Sequence, residues 1–303
     1  MKGRQNLYSK EDDRLELTNS QIKQLKEKEL DILKIVIQIC SQLNICYFVV
    51  QGTLLGAVRH QGFIPWDDDI DIGMLRKDYD IFIKKGQDLL PPPFFIQTHA
   101  TDPMYPNAFA KVRNSDTAFV ETTCKNLDMN HGIYIDVFPF DFYPDNPVKS
   151  GIFQLKKLLL RYRVRCELYI SADSTRSFKN LVRHLLKCTS RIVYPSLQVA
   201  LKKQECLYCS TIHGKQIANH GSPWGKRECF PAEWLSDFTT LKFEGISVSA
   251  PAHYRDYLAH VYGDYMKLPP PEQRIPHHYV SLIDFGKSYS PKLEGQKTDD
   301  GWK

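Results

Sequence analysis

Cys46-Tyr-Phe-Val-Val-Gln-Gly52-Thr53-Leu-Leu-Gly56-Ala-Val-Arg59-His60-Gln-Gly62-Phe-Ile-Pro65-Trp66-Asp67-Asp68-Asp69-Ile70-Asp71-Ile72-Gly73 is the stretch whose reading decides the fold. Tyr47 to Val50 is an apolar run with the length of a buried strand. It stops at Gly52-Thr53. Thr53 is suited to cap a short helix through Arg59, and Gly52 lets the backbone approach a ligand closely. A helix that starts where a strand stops leaves backbone N–H groups for an anion such as phosphate. Gly62 and Pro65 close that helix, and the chain enters an acidic run. Read as a strand, residues 67–72 put Asp67, Asp69 and Asp71 on one face and Asp68, Ile70 and Ile72 on the other. Three carboxylates on one side repel, and a divalent cation that takes hard oxygen ligands, Mg²⁺ or Mn²⁺, is the usual remedy. The alternative is an acidic surface turn. Trp66, Ile70 and Ile72 argue instead for a partly buried setting, where unpaired charge is costly.

Two later stretches bear on the same chemistry. Gly132-Ile-Tyr-Ile-Asp136-Val-Phe-Pro-Phe-Asp141 has Ile133, Ile135 and Val137 on one face and Tyr134 and Asp136 on the other. An acid inside such an apolar strand needs a partner. Asp141, just after Pro139, reads as a turn residue. In Asn107-Ala-Phe-Ala-Lys111-Val112-Arg113 the two cations alternate around Val112 and share a face. Beside an acidic metal site they suit a polyphosphate; alone they suit an exposed strand face.

The whole string from Gln51 to Asp71 resembles the nucleotidyltransferase superfamily signature, and in particular its LicD branch. That branch includes bacterial phosphorylcholine transferases and is related to the fukutin-type ribitol-phosphate transferases. The strings Trp224-Gly-Lys226-Arg-Glu and Phe243-Glu-Gly also look LicD-like, so the resemblance spans about residues 25 to 285. It implies an α+β fold with a nucleotidyltransferase-type mixed sheet core and a largely helical C-terminal region. It implies Asp69, Asp71 and Asp136 as metal ligands and catalytic residues, with Asp136 also the base. Asp69-Ile70-Asp71 has the acid-hydrophobic-acid form, which disfavours Asp67 and Asp68. Gly52, Thr53, Arg59, Lys111, Arg113, Lys226, His277 and His278 are the expected donor and phosphate contacts. For His277 and His278 a structural role is the alternative. Tyr262, Trp224 and Tyr265 suit either packing or an aromatic face for a quaternary ammonium. The implied reaction moves phosphorylcholine from CDP-choline to a hydroxyl of a lipid-linked surface-glycan or teichoic acid precursor and releases CMP. Transfer of ribitol phosphate or glycerol phosphate, or true nucleotidyl transfer, keeps the same metal site. A non-catalytic membrane-surface binding module is the distant alternative.

With 303 residues the chain can bury a sizeable core. Its net charge of +5 excludes little, and it carries no recognised nucleic-acid-binding motif. No apolar run reaches transmembrane length, and the N-terminus lacks the apolar core of a signal peptide. The expected location is therefore cytoplasmic. Residues 149–203 crowd lysine and arginine among leucine and isoleucine, as basic amphipathic helices do; these suit peripheral contact with the inner membrane face or an ordinary solvated bundle. The eight cysteines are scattered, which fits reduced thiols. Cys206, Cys209 and Cys229 have partial zinc-like spacing, as the fukutin-type relatives' zinc site suggests. Buried structural thiols at a helix end are the favoured reading, because no second pair completes a ligand set. The expected organisation is a mobile arm (1–17), a catalytic core (18–146), a helical region completing the donor and acceptor site (147–286) and a flexible tail (287–303). Within the core, a packing helix is expected over 21–43, after Thr18-Asn19-Ser20, and another over 77–90 with Asp78 and Asp80 on a solvated face.

Overall fold

The structure, a computed structural model, describes residues 15–168, 178–222, 224–276 and 278–291. Helix α1 (Asn19–Leu43) starts at a capping box, in which the Thr18 hydroxyl accepts the Gln21 N–H and the Gln21 side chain accepts that of Thr18. Its apolar stripe packs on the central sheet. The chain then enters β1 (Phe48–Val49), turns directly into α2 (Gln51–Arg59), and returns as β2 (Asp71–Leu75). Residues 67–70, expected to belong to that strand, precede it as irregular backbone. The irregularity follows from the sharp approach to α2, where Val50 N–H already bonds Asp71 O (3.1 Å).

Helix α3 (Arg76–Lys85) leads to β3 (Phe94–Gln97), β4 (Ala110–Asn114), β5 (Ala118–Glu121) and the long β6 (Ile133–Tyr143). The strands order as β1-β2-β6-β4-β3. β2 and β6 are parallel and the other neighbours antiparallel, so the sheet is mixed, as the resemblance implies. The parallel pair fixes the register Asp71 opposite Asp136.

Asp141 is not a turn residue. β6 runs on past Pro139 because its far end pairs with β7 (Gln216–Ala218), with Asp141 opposite Ala218, a pairing that local sequence does not announce. Asp141 is buried and holds Arg76 through two hydrogen bonds (2.7 and 2.6 Å). Asp78, expected on a solvated face, accepts the Cys46 N–H (3.1 Å).

Three helices follow β6 in the chain: α4 (Pro147–Leu168), α5 (Phe178–Val193) and α6 (Leu197–Tyr208). Beyond them the chain rejoins the core. β7 pairs with β8 (Cys229–Pro231), and β9 (Phe238–Phe243) and β10 (Ile246–Pro251) form a hairpin. The turn of that hairpin is Glu244-Gly245, both at positive φ (46° and 77°), as a two-residue primed turn requires. Helix α7 (Tyr254–Tyr262) ends at Gly263, and β11 (Val280–Asp284) pairs with β5. Cys206 and Cys209 sit at the end of α6 and are exposed rather than buried. Among the described helices none is long and apolar enough to cross a membrane.

Candidate active site

The site forms where α2 begins, because β1 and β2 converge there. Thr53 does not cap the helix: Val50 occupies the cap position, and Thr53 is the third residue of the first turn. Its hydroxyl accepts the backbone N–H of Asp71 at 2.7 Å and so pins the start of β2 to α2. Gly52 does allow a close approach, and what approaches is the Asp67 carboxylate, which a β-carbon at 52 would overlap. The first intrahelical bond is Leu54 N–H to Val50 O (2.9 Å). The N–H groups of Gly52 and Thr53 precede it, at the positive end of the helix. Gln51 takes a positive φ (48°), and its N–H is held by Tyr257 Oη (3.4 Å). Tyr257 in turn donates to the buried Glu228.

Register then assembles the carboxylates. Asp71 and Asp136 stand side by side on β2 and β6, and Asp69 reaches the same place from the preceding loop. Ligand oxygens of the three lie within 4.8 Å of one another. Burial raises the Asp71 carboxyl well above the usual range, helped by Asp69 and Asp136. Burial, against the pull of His278, takes Asp69 up to about 6. Asp67 is likewise raised by burial, then by Asp69 and Asp68. Asp136 is raised by burial and held back by Lys111, whose Nζ is 2.8 Å from its Oδ1. An all-oxygen set of three carboxylates, each pushed toward its protonated form by burial, and Asp69 and Asp71 also by nearby carboxylates, fits a hard divalent cation.

The cations divide. Lys111 lies between Asp136 and Glu121 (3.7 Å) and over the Tyr134 ring (3.2 Å). Burial alone would raise the Glu121 carboxyl, but Lys111 and His278 hold it down at about 2. Arg113 shares the face two residues further along β4, and its guanidinium also lies over the Tyr134 ring (4.7 Å). It is 1% exposed and is spent on Gln97 Oε1 and Gly132 O, so it supports the sheet behind the site. Arg59 donates to Tyr265 O (2.8 Å), linking α2 to the segment after α7.

His278 comes from the stretch before β11. Its Nδ1 is 3.1 Å from Asp68 Oδ1, its backbone N–H donates to Asp68 Oδ2 (3.2 Å), and its Nε2 faces Asp69 at 3.9 Å. Burial pulls this imidazole down, yet Asp68 outweighs burial and keeps it well above its ordinary range. Asp68 therefore anchors the C-terminal strap over the site. His277 lies outside the described residues, as does the side chain of Lys226. Trp224 and Tyr262 meet edge to face at 5.6 Å.

Sequence reasoning missed Glu29, Glu228, Tyr257 and the pairing of Asp68 with His278. For Glu29 a signal existed: it interrupts the buried row Leu25, Ile32, Leu33 and Val36 of α1.

Residues 44–165 match the family described as LicD/FKTN/FKRP, nucleotidyltransferase domain. The chain is also 31% identical to the lipopolysaccharide cholinephosphotransferase LicD of Haemophilus influenzae, over 84% of this chain and 96% of that protein. The chain belongs to the LicD family. As a LicD-family member it is an enzyme of the phosphotransferase type. A shorter match, 41% identical over 20% of this chain, is to an uncharacterized protein of Rickettsia typhi. The matched domain contains the α2 turn, Asp69, Asp71, Lys111 and Asp136. Glu29, Glu228, Tyr257 and His278 lie outside it.

Proposed function

We propose that this LicD-family enzyme transfers phosphorylcholine from CDP-choline to a hydroxyl of a cell-surface glycan precursor and releases CMP. The observation that carries the metal-dependent part is the convergence of Asp69, Asp71 and Asp136 beside the first turn of α2. The name of the Haemophilus influenzae relative supports the choline part. Asp69, Asp71 and Asp136 would hold Mg²⁺ or Mn²⁺. When bound there, the ion supplies charge neutralisation at the diphosphate and lowers the pKa of the acceptor hydroxyl. The N–H groups of Gly52 and Thr53 receive phosphate oxygens at the helix end. Lys111 offsets charge that develops on the phosphoryl group and steadies Asp136. Asp136 takes the proton of the acceptor hydroxyl. The strap carrying His278 excludes water from one side of the site.

The acceptor is lipid-linked and is met at a membrane surface. Helix α4 exposes Val148, Ile152 and Leu155 at helical spacing, next to Lys149 and Lys156. In α5, Ile192 is 81% exposed beside Arg191, and Leu185 is exposed near Lys187. Apolar side chains flanked by cations suit an anionic bilayer surface. Stronger sedimentation with anionic than with neutral vesicles at low salt is expected; equal sedimentation removes this part of the proposal.

The deciding assay incubates the enzyme and Mg²⁺ with CDP-choline, CDP-ribitol or CDP-glycerol and a glycan acceptor. CMP release with CDP-choline is expected. Release from another donor alone changes the alcohol, and pyrophosphate from a nucleoside triphosphate turns the reading into nucleotidyl transfer.

A further inference from the structure

Glu29 lies on the core face of α1, in a row of buried apolar residues. It is 2% exposed, and its Oε2 has no hydrogen-bond partner among the described residues. Lys26, one turn earlier, donates to the carbonyls of Ile64 (3.1 Å) and Pro65 (3.3 Å). This part of α1 is thereby fastened to the loop that leads into the aspartates. Burial, and after it the charges of Asp69 and Asp68, pushes the Glu29 carboxyl well above its ordinary range, against the opposing charge of His278. A carboxylate oxygen without a partner, in a dry place, beside other carboxylates, is unfavourable on every count. A leucine would continue the row without that cost. Lys26 acts on Glu29 through its charge but gives it no hydrogen bond, because its ammonium donates to the two carbonyls. The arrangement makes physical sense once a hydrated cation stands at Asp69, Asp71 and Asp136, beyond the loop to which α1 is fastened, because water on a divalent ion is a strong hydrogen-bond donor to carboxylates around it.

We propose that Glu29 is an outer-sphere carboxylate of the metal centre, accepting a hydrogen bond from water on the divalent ion held by Asp69, Asp71 and Asp136. It is a positioning residue: it fixes the ion through its water and touches neither donor nor acceptor. It is supplied by a helix upstream of residues 44–165, the segment the family profile matches, so the centre extends beyond that domain. The inference rests on the metal-binding part of the proposed function.

The test is Mn²⁺ binding to the full chain without nucleotide, followed by calorimetry or by the loss of the free-ion paramagnetic resonance signal. Melting temperatures are taken in parallel in EDTA. Wild type is expected to bind, and Asp71→Asn to bind far more weakly. Glu29→Gln is expected to weaken Mn²⁺ binding about 10-fold or more and to melt higher than wild type in EDTA. A purely structural glutamate would give the opposite melting shift and leave affinity alone. Should Glu29→Gln fail to fold, Glu29→Leu, which completes the apolar row, is measured in the same way. Unchanged Mn²⁺ affinity in the folded variant overturns the inference and leaves the metal site standing. Absence of Mn²⁺ binding by wild type overturns the metal site itself.

Discussion

The hydroxyl of Thr53 accepts the backbone N–H of Asp71 at 2.7 Å, with both residues buried. One bond thus ties the helix that presents N–H groups to phosphate to the strand that presents carboxylate to metal. Thr53→Val keeps the shape and leaves the Asp71 N–H without an acceptor. A loss of about 1–3 kcal/mol in stability is expected, with a parallel fall in transfer rate. Thr53→Ser restores both. Denaturant titration and CMP release measure the two effects; a valine variant with wild-type stability would show that the bond does not hold the site together.

Asp71→Asn separates catalysis from stability. Removing a metal ligand is expected to lower transfer about 10³-fold, as several kcal/mol of charge stabilisation are lost. In EDTA the same variant should melt above wild type, because burial, Asp69 and Asp136 all oppose a charge at this position. A lower melting temperature in EDTA would mean that repulsion within the triad is not what the apo protein endures.

Much of this was legible because it depends on short-range pattern. Asp136 between isoleucine and valine on β6 and the packing helix after Thr18-Asn19-Ser20 are set by alternation, by helical spacing and by a helix-start signal. What stayed hidden depends on contacts across the chain. Asp141 looked like a turn residue because β7, its pairing partner, lies some 75 positions later. Thr53 looked like a cap because Ser and Thr near a helix start usually are, whereas here the hydroxyl serves another strand. Lys111 and Arg113 share a face, as alternation requires, but alternation could not tell that Gln97 and Gly132 occupy the guanidinium.

Arg76 and Asp141 form a two-pronged ion pair with Asp141 almost fully buried. Asp141→Asn leaves a guanidinium facing a neutral group in a dry setting, and a loss of about 3–5 kcal/mol is expected. Arg76→Lys should recover little, since an ammonium cannot reproduce the fork. Leucine at both positions should be more stable than either single variant. The rate per folded molecule should stay near wild type in all of them. A large fall in that rate in Asp141→Asn would show that this pair acts on the chemistry as well as on the fold.

Glu228 is expected to make stability fall as pH rises. It is completely buried, and burial pushes its carboxyl up from 4.5 to about 7, with the Tyr257 hydroxyl pulling slightly the other way. Between pH 4.5 and 7 the folded chain holds this proton while the unfolded chain has released it. The folded state then binds more protons, so the slope of unfolding free energy against pH is negative across that window and levels off above it. The full penalty is about 3 kcal/mol at most. Glu228→Gln still accepts from Tyr257 and cannot ionise. It should match wild type near pH 4.5, gain on it through pH 7, and melt several degrees higher at pH 8. Parallel melting curves for the two proteins from pH 5 to 8 would show that the proton on Glu228 does not carry the effect.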